Sequence, residues 1–337
     1  MSDVQRAAGS GARSPDLEVS VVMPCLNEEQ TIAICIEKAQ RSLRELGVTG
    51  EVLVVDNGST DRSREIAASA GARVVQQPLR GYGNAYHKGM SEARGRYLIM
   101  GDADDTYDFS NLKIFLDPLR QGYEFVIGNR FTKDLNRDAM PWLHRYVGTP
   151  LLSGILRWWF DIPVKDAHCG MRAFTREAYD KLKLQTTGME YASEMIVNAG
   201  RAKLKTKEIP ITYLLRKGDS KLRTFRDGWR HLRFMLLYSP RFLFILPGLG
   251  MFIVGLVLLF IMYFRPIQIG NFVLDLHPMF FASLMALLGY QIASLGLYTK
   301  LYSFVQGLDA PDPTIRWFAR HFKLEHMIVI GLLVFGL

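Results

Sequence analysis

A chain of 337 residues, 49% hydrophobic and 22% charged, can hold one large folded domain or two ordinary ones and is too apolar for a disordered polypeptide. The net charge of +8 admits an anionic partner, and the position of the basic residues has to decide between nucleic acid and a membrane. Three cysteines, Cys25, Cys35 and Cys169, form no CxxC pair and no His-spaced cluster, which excludes a disulfide scaffold and fits reduced thiols in a cytosolic domain.

The first sixteen residues are small and polar, lack the apolar core of a signal peptide, and are expected to be a disordered leader. Val19 to Met23 is a continuous apolar run, as a strand covered on both faces requires. Helical spacing follows from Asn27 to Leu46, with Ile32, Ile36 and Ala39 on one face. Glu51 to Val55 predicts a second strand, ending in Asp56-Asn57-Gly58-Ser59-Thr60-Asp61 and a helix through Ala68. Ala72 to Val75 opens a third unit, with a glycine-broken turn and a helix from about Ala85 to Ala93. Tyr97 to Met100 is a fourth strand, and Phe125 to Ile127 a fifth. Strands alternating with helices argue a parallel, doubly wound α/β sheet, in which ligands bind beyond the carboxyl ends of the strands.

From about residue 235 the composition changes. Phe242 to Phe264 is an uncharged stretch of 23 residues, enough to cross a bilayer core of roughly 30 Å. A second span is expected from Leu276 to Tyr298. A third apolar run, Met327 to Leu337, is too short to span and reads as an interfacial or re-entrant end, or as the start of a span that continues further. The expected organisation is therefore a leader over 1–16, a catalytic domain over 17–222, an interfacial helix over 223–240 and a membrane domain over 241–337. Arg216, Lys217, Lys221, Arg223, Arg226, Arg230, Arg233 and Arg241 precede the first span, and Lys300, Arg316, Arg320 and Lys323 follow the second. Between the spans only Arg265 stands against Asp275. The positive-inside rule then puts the N-terminal half on the cytoplasmic face of the cell's inner membrane, anchored by a multi-pass C-terminal half. Phe225 to Ser239 interleaves Arg and His with Trp229, Phe234, Met235 and Leu236. Directly before a span this reads as an amphipathic helix in the headgroups, not as a nucleic-acid patch.

The fourth strand stops in four carboxylates: Asp102, Asp104, Asp105 and Asp108. Taken alone, the cluster allows a solvated turn, a calcium loop, a phosphatase nucleophile or a metal–nucleotide site. A calcium loop of the EF-hand type fails because its sixth position, counted from Asp102, is Tyr107 instead of Gly. Asp102-Ala103-Asp104-Asp105-Thr106 also spells the D-x-D-x-T of haloacid-dehalogenase phosphatases, but there the motif follows the first strand, and here three βα units precede it. Pro24-Cys25-Leu26-Asn27-Glu28 ends the first strand, where Asn27 on its own is explained by helix capping. Asp56 at the end of the second strand can accept from a nucleobase or ribose, although a capped turn also accounts for its loop.

The three strand-end patterns together, P-x-x-N-E, V-V-D-x-G-S-x-D and M-G-D-A-D, resemble the GT-A glycosyltransferases of family 2. They are most similar to the polyprenyl-phosphate type, over about Val19 to Leu222. The resemblance implies a GT-A fold, Rossmann-like with a mostly parallel sheet, followed by an interfacial helix and C-terminal transmembrane helices. It implies Mg²⁺ or Mn²⁺ on Asp102 and Asp104, whose hard oxygens suit either ion. Pro24, Asn27, Glu28, Asp56 and Ala103 would hold the nucleotide, and Arg216 and Lys221 would close over the diphosphate from the segment Arg216 to Leu222, although both also serve as positive-inside residues. Arg80-Gly81-Tyr82-Gly83 resembles the family's basic turn after strand three. Arg130, in Gly128-Asn129-Arg130, would grip a phosphate. His144 and Arg145 lie where relatives place basic residues for the lipid phosphate, or simply on a helix surface. Asp166 to Phe174 would wall the sugar and acceptor pocket, its close spacing arguing against zinc. Glu194, one helical turn from Glu190, would stand near the sugar.

Asn57 departs from the family's second Asp, and Thr106 from the Gln that often completes the metal shell, leaving Asp105 or water to substitute. The Q-x-x-R-W motif of processive synthases is missing from the sequence, which argues for single-sugar transfer. The expected reaction moves a sugar from a nucleotide-sugar donor to a polyprenyl phosphate, with no nucleic-acid partner and with a homo-oligomer left open. A different lipid acceptor, a phosphatase and a non-catalytic nucleotide-sensing scaffold are the alternatives.

Overall fold

A computed structural model describes residues 17–131, 142, 144–160, 162, 164–215, 224–264, 267–269, 272–274, 276–305 and 324–336. The expected leader, Arg216 and Lys221 fall outside the described residues. The chain divides into two compact units, one ending at Met235 and the other beginning at Leu236.

In the first unit, β1 (Val19–Cys25), β2 (Gly50–Asp56), β3 (Arg73–Gln76) and β4 (Tyr97–Met100) are parallel neighbours in the order β3-β2-β1-β4. The helices α1 (Ile32–Glu45), α2 (Ser63–Ser69) and α3 (Tyr82–Glu92) make the crossovers between them. β1 and β4 sit in mid-sheet, and Val19, Val21, Val22, Leu98 and Ile99 are wholly buried. That is why both runs are apolar at every position apart from Ser20, whose hydroxyl donates to Glu51 at 2.7 Å.

The sheet is mixed, not purely parallel. After α4 (Lys113–Arg120), β5 (Phe125–Asn129) and α5 (Thr149–Phe160), the short β6 (Arg172–Thr175) inserts antiparallel between β4 and β5. Then α6 (Arg176–Leu182) and α7 (Tyr191–Arg201) lead to the edge strand β7 (Thr206–Pro210), parallel to β5, for a final order β3-β2-β1-β4-β6-β5-β7. α8 (Thr224–Leu237) follows.

In the second unit, a π-helical turn at Arg241–Ile245 runs into α9 (Leu246–Phe264), and α10 (Leu276–Val305) returns after a two-stranded ribbon of β8 (Ile267–Ile269) and β9 (Phe272–Leu274). The last element, α11 (Leu324–Phe335), covers most of the third apolar run. Two helical stretches, Arg241–Phe264 and Pro278–Tyr302, are long and apolar enough to cross a membrane. Only 11% and 22% of their most apolar windows are buried, the reverse of a core helix in a water-soluble protein. Small residues make the seam between them: a Cβ on Gly248 would lie 2.5 Å from the Ala293 nitrogen, and one on Gly255 2.5 Å from that of Ala286. Gly255→Leu is therefore expected to force α9 and α10 apart and cost about 1–3 kcal/mol, read as a lower Tm of the detergent-solubilised chain. An unchanged Tm would contradict this packing.

Candidate active site

Register lines up the strand ends. Cys25 lies opposite Asp56, and Asp56 opposite Gln76. Strand order reverses direction at β1 and β4, which makes the crevice beyond them the switch point where open sheets take ligands. β1–β4 pairing stops at Val22 and Met100, closed by the Gly101 N–H donating to the Val22 carbonyl at 3.3 Å. Pro24 comes after that point, beyond the last β4 partner, so a missing N–H costs the ladder little there.

The loops beyond β1 and β2 are stitched into one wall. Asn27 has φ +53°, a left-handed conformation that Asn tolerates. Its Oδ1 accepts from the Thr60 N–H at 2.8 Å, and its own N–H donates to Ser59 Oγ at 3.0 Å. Helix capping does not explain Asn27, since α1 starts only at Ile32. The Glu28 N–H donates to Ser63 Oγ at 2.8 Å. Asp56 is buried, with Oδ1 accepting from the Ser59 N–H at 3.0 Å and Oδ2 3.8 Å from Arg64 Nε. The departure at Asn57 has a physical reason: its amide donates to the Gln77 and Leu79 carbonyls at 2.9 and 2.8 Å and accepts from the Gly81 N–H at 2.8 Å. A carboxylate would lose both donors, so Asn57 fixes the turn that carries Arg80.

The four acids of the β4 loop separate by their partners. Asp102 is half-buried, and its Oδ1 accepts from the Tyr86 hydroxyl at 3.3 Å. Burial first, then Tyr82 and the Asp102 charge, push the Tyr86 hydroxyl well above the ordinary phenol range, so it stays a neutral donor. Asp104 is buried and accepts at Oδ1 from the N–H and hydroxyl of Thr106, at 3.2 and 2.6 Å. Thr106 therefore orients Asp104. Ala103 is buried, its carbonyl accepting from Thr31 Oγ1 at 2.7 Å. Asp105, with φ +57°, pairs with Lys38 Nζ at 2.7 Å and is occupied as an ion-pair partner of α1. Asp108 accepts from the Ser110 N–H at 3.0 Å and caps the short 3₁₀ turn Phe109–Asn111.

Among the described residues no group of three or more His, Cys, Asp or Glu side chains gathers as an all-protein cation cage. Two carboxylates at a strand end fit instead the kind of hard divalent ion that keeps waters and takes substrate phosphates as ligands. The donor set is thus suited to Mg²⁺ or Mn²⁺ on Asp102 and Asp104.

The segment from Val164 to Met171 comes up beside Asp102 at Gly170. A Cβ on Gly170 would stand 2.8 Å from Asp102 Oδ2, and the Gly170 N–H donates to the Tyr107 hydroxyl at 2.8 Å. Asp166, in the segment expected to wall the pocket, is fully buried and takes Arg130 in a fork, Nε at 2.7 Å and Nη2 at 2.9 Å, plus the Arg130 N–H at 3.0 Å. In this fork sits Arg130, the residue expected to grip a phosphate. That guanidinium is buried, holds Asp166 and lies 5.2 Å over the Tyr213 ring. Glu194 is the carboxylate expected near the sugar. Only 1% exposed, it accepts from the Gln185 N–H at 2.9 Å and from the N–H and hydroxyl of Thr186 at 2.8 and 2.6 Å. It thereby pins the Gln185–Thr187 strap against the Gly81–Gly83 turn, where a Cβ on Gly81 would lie 2.4 Å from the Thr187 carbonyl oxygen. Arg145 stacks 5.3 Å over Tyr146, just before α5.

Sequence reasoning missed Tyr86 and Lys38. Tyr86 alone left a trace, as the second tyrosine at i+4 spacing in the helix after the glycine turn. All three cysteines are free and buried, and burial raises Cys25 to about 11 and Cys35 and Cys169 to about 12, as inert thiols require.

Residues 20–183 match the model of the family described as glycosyl transferase family 2. The chain is 41% identical over 339 aligned residues to the low-salt glycan biosynthesis hexosyltransferase Agl6 of Haloferax volcanii, covering 99% of this chain and 81% of that one. It is 34% identical to a dolichyl-phosphate hexose transferase of the same organism, covering 63% of this chain and 89% of that one. Among solved structures, glucosyl-3-phosphoglycerate synthase of Mycobacterium tuberculosis, in complex with Mn²⁺, UDP and glucosyl-3-phosphoglycerate, matches with a TM-score of 0.54 at 22% identity. That match covers 67% of this chain and 81% of that one and shows a shared fold.

Proposed function

Because this chain belongs to glycosyl transferase family 2, we propose that it moves one sugar, with inversion, from a nucleotide-sugar to a polyprenyl phosphate at the cytoplasmic face of a membrane. The observation that carries this reading is the Asp102–Asp104 pair at the β1/β4 switch point of a chain that continues into two exposed, span-length apolar helices. A relative named as a dolichyl-phosphate hexose transferase supports the acceptor class. Two outward faces of the first unit suit a bilayer surface. α8 exposes Trp229 with Arg226, Arg230 and Arg233, and α5 exposes Leu151 and Trp158 beside Tyr146.

A divalent ion on Asp102 and Asp104 would offset the charge that develops on the leaving nucleoside diphosphate. Asn27, Glu28 and Asp56, with the backbone at Pro24 and Ala103, form the wall suited to base and ribose. Arg216 and Lys221 are proposed to close over the diphosphate. An acceptor phosphate is ionised at neutral pH, so its oxygen can attack the anomeric carbon without a protein base. The new C–O bond forms as the bond to the diphosphate breaks, and the electron pair leaves with the nucleoside diphosphate. In-line attack inverts the anomeric centre, and catalysis rests on orientation and electrostatics. Glu194 serves this scheme as a positioning residue, consistent with a reaction that needs no base.

The test is transfer of radiolabel from UDP-glucose, UDP-GlcNAc or GDP-mannose to undecaprenyl or dolichyl phosphate in membranes containing the full chain. Organic-phase label that appears with Mg²⁺ or Mn²⁺ and vanishes with EDTA is expected. Absence of metal-dependent label in any lipid would sink the proposal, and label in a lipid lacking a phosphate acceptor would favour another acceptor class.

A further inference from the structure

α8 precedes the first span in sequence and turns one face inward, burying His231, Phe234 and Met235. The imidazole does more than fill space. His231 Nδ1 lies 2.8 Å from the hydroxyl of Ser193, a residue of α7 with no exposed surface. The same hydroxyl lies 3.4 Å from Nε2 of His168, and the two rings meet edge to face with centroids 4.7 Å apart. A serine hydroxyl has one proton, so donating to one imidazole leaves it to accept from the other. Two imidazoles and a hydroxyl do not make a metal site, and no third carboxylate, thiol or imidazole joins them among the described residues.

His168 belongs to the segment that faces Asp102, and that segment is held as one piece. The Ala167 N–H donates to Ser153 Oγ at 3.2 Å. Fully buried Arg172 donates to the Cys169 and Ala167 carbonyls at 2.8 and 2.9 Å, and to that of Ala192 on α7 at 2.8 Å. At Gly170 the segment reaches Tyr107 and Asp102. A continuous set of contacts thus runs from the buried face of α8, through Ser193, to the wall beside the acids.

We infer that Ser193 and His231 are positioning residues that transmit the seating of α8 to the His168–Gly170 wall, so that acceptor binding depends on α8 being docked. This rests on the proposed transfer to a polyprenyl phosphate. Its physical sense is that a lipid-borne acceptor reaches the wall only when the helix before the membrane is in place.

The experiment uses the full chain in nanodiscs, with Ser193→Ala, His231→Phe and His231→Gln. Acceptor KM, donor KM and kcat are measured with the best donor of the three named above. Amide exchange is followed over Ala167–Gly170. Loss of the Ser193–His231 hydrogen bond, common to both variants, is expected to raise acceptor KM about tenfold in Ser193→Ala and His231→Phe, with donor KM within about twofold. Exchange of the Ala167–Gly170 amides should quicken by about the same factor. His231→Gln, which keeps a hydrogen-bonding group, should recover most of both. Equal rises in donor and acceptor KM, or unchanged exchange in Ser193→Ala, would overturn the inference. If the wild type transfers nothing to polyprenyl phosphate, the functional reading fails by itself and the exchange measurement still decides the coupling.

Discussion

Asp102→Asn and Asp104→Asn are each expected to lower turnover by about 10²–10³-fold while leaving Tm nearly unchanged, because each removes a negative oxygen from the group that would hold the cation at the leaving diphosphate. The amide in Asp104→Asn still offers an oxygen to the Thr106 N–H and hydroxyl, now at 3.2 and 2.6 Å, so the loop should keep its shape. Mn²⁺ affinity, measured by electron paramagnetic resonance in the presence of UDP, should fall together with turnover. Asp105→Asn is the control: its carboxylate pairs with Lys38, so it should cost stability before it costs metal affinity. Asp104→Asn turnover within twofold of wild type would remove the acid pair from the mechanism.

Asp166→Ala is expected to destabilise the first unit by about 3–5 kcal/mol, since it strands the buried Arg130 guanidinium and also takes the acceptor of the Arg130 N–H. For a unit of this size the loss corresponds to a Tm lower by roughly 6–20 °C. Replacing both partners, Arg130→Met with Asp166→Leu, should recover much of that stability, because an apolar pair leaves no buried charge unmatched. Turnover of the double variant separates two roles for Arg130. Near-normal turnover means the arginine only holds the Asp166 segment in place, whereas full stability with turnover lost means it also reaches a phosphate.

The legible parts of this fold share one property: their signal is local. β1, β2 and β4 read as largely apolar runs because both faces of each are covered, and the acids after β4 stand out because an apolar strand stops in them. β6 escaped because it is four residues long and begins with Arg172, which is tolerable in mid-sheet only because the carbonyls of Ala167, Cys169 and Ala192 receive its guanidinium. β7 reads Thr-Lys-Glu-Ile-Pro, a polar edge strand with little apolar signal to find. The β8–β9 ribbon between the two long helices was hidden by shortness alone, in two three-residue strands.

Sequence alone therefore determined the strand ends at which Asn27, Asp56, Asp102 and Asp104 lie, because parallel βα order and apolar runs dictate which end of the sheet they occupy. It also determined the two long apolar helices, since length and composition are properties of the chain itself. Only the tertiary structure decided what each charged side chain does. Arg130 meets a carboxylate 36 residues away, Lys38 meets Asp105 67 residues away, and Glu194 is taken up by the N–H groups of Gln185 and Thr186. A charged group's role follows from which partners occupy its donors and lone pairs, and those partners are assembled by packing, not by spacing along the chain.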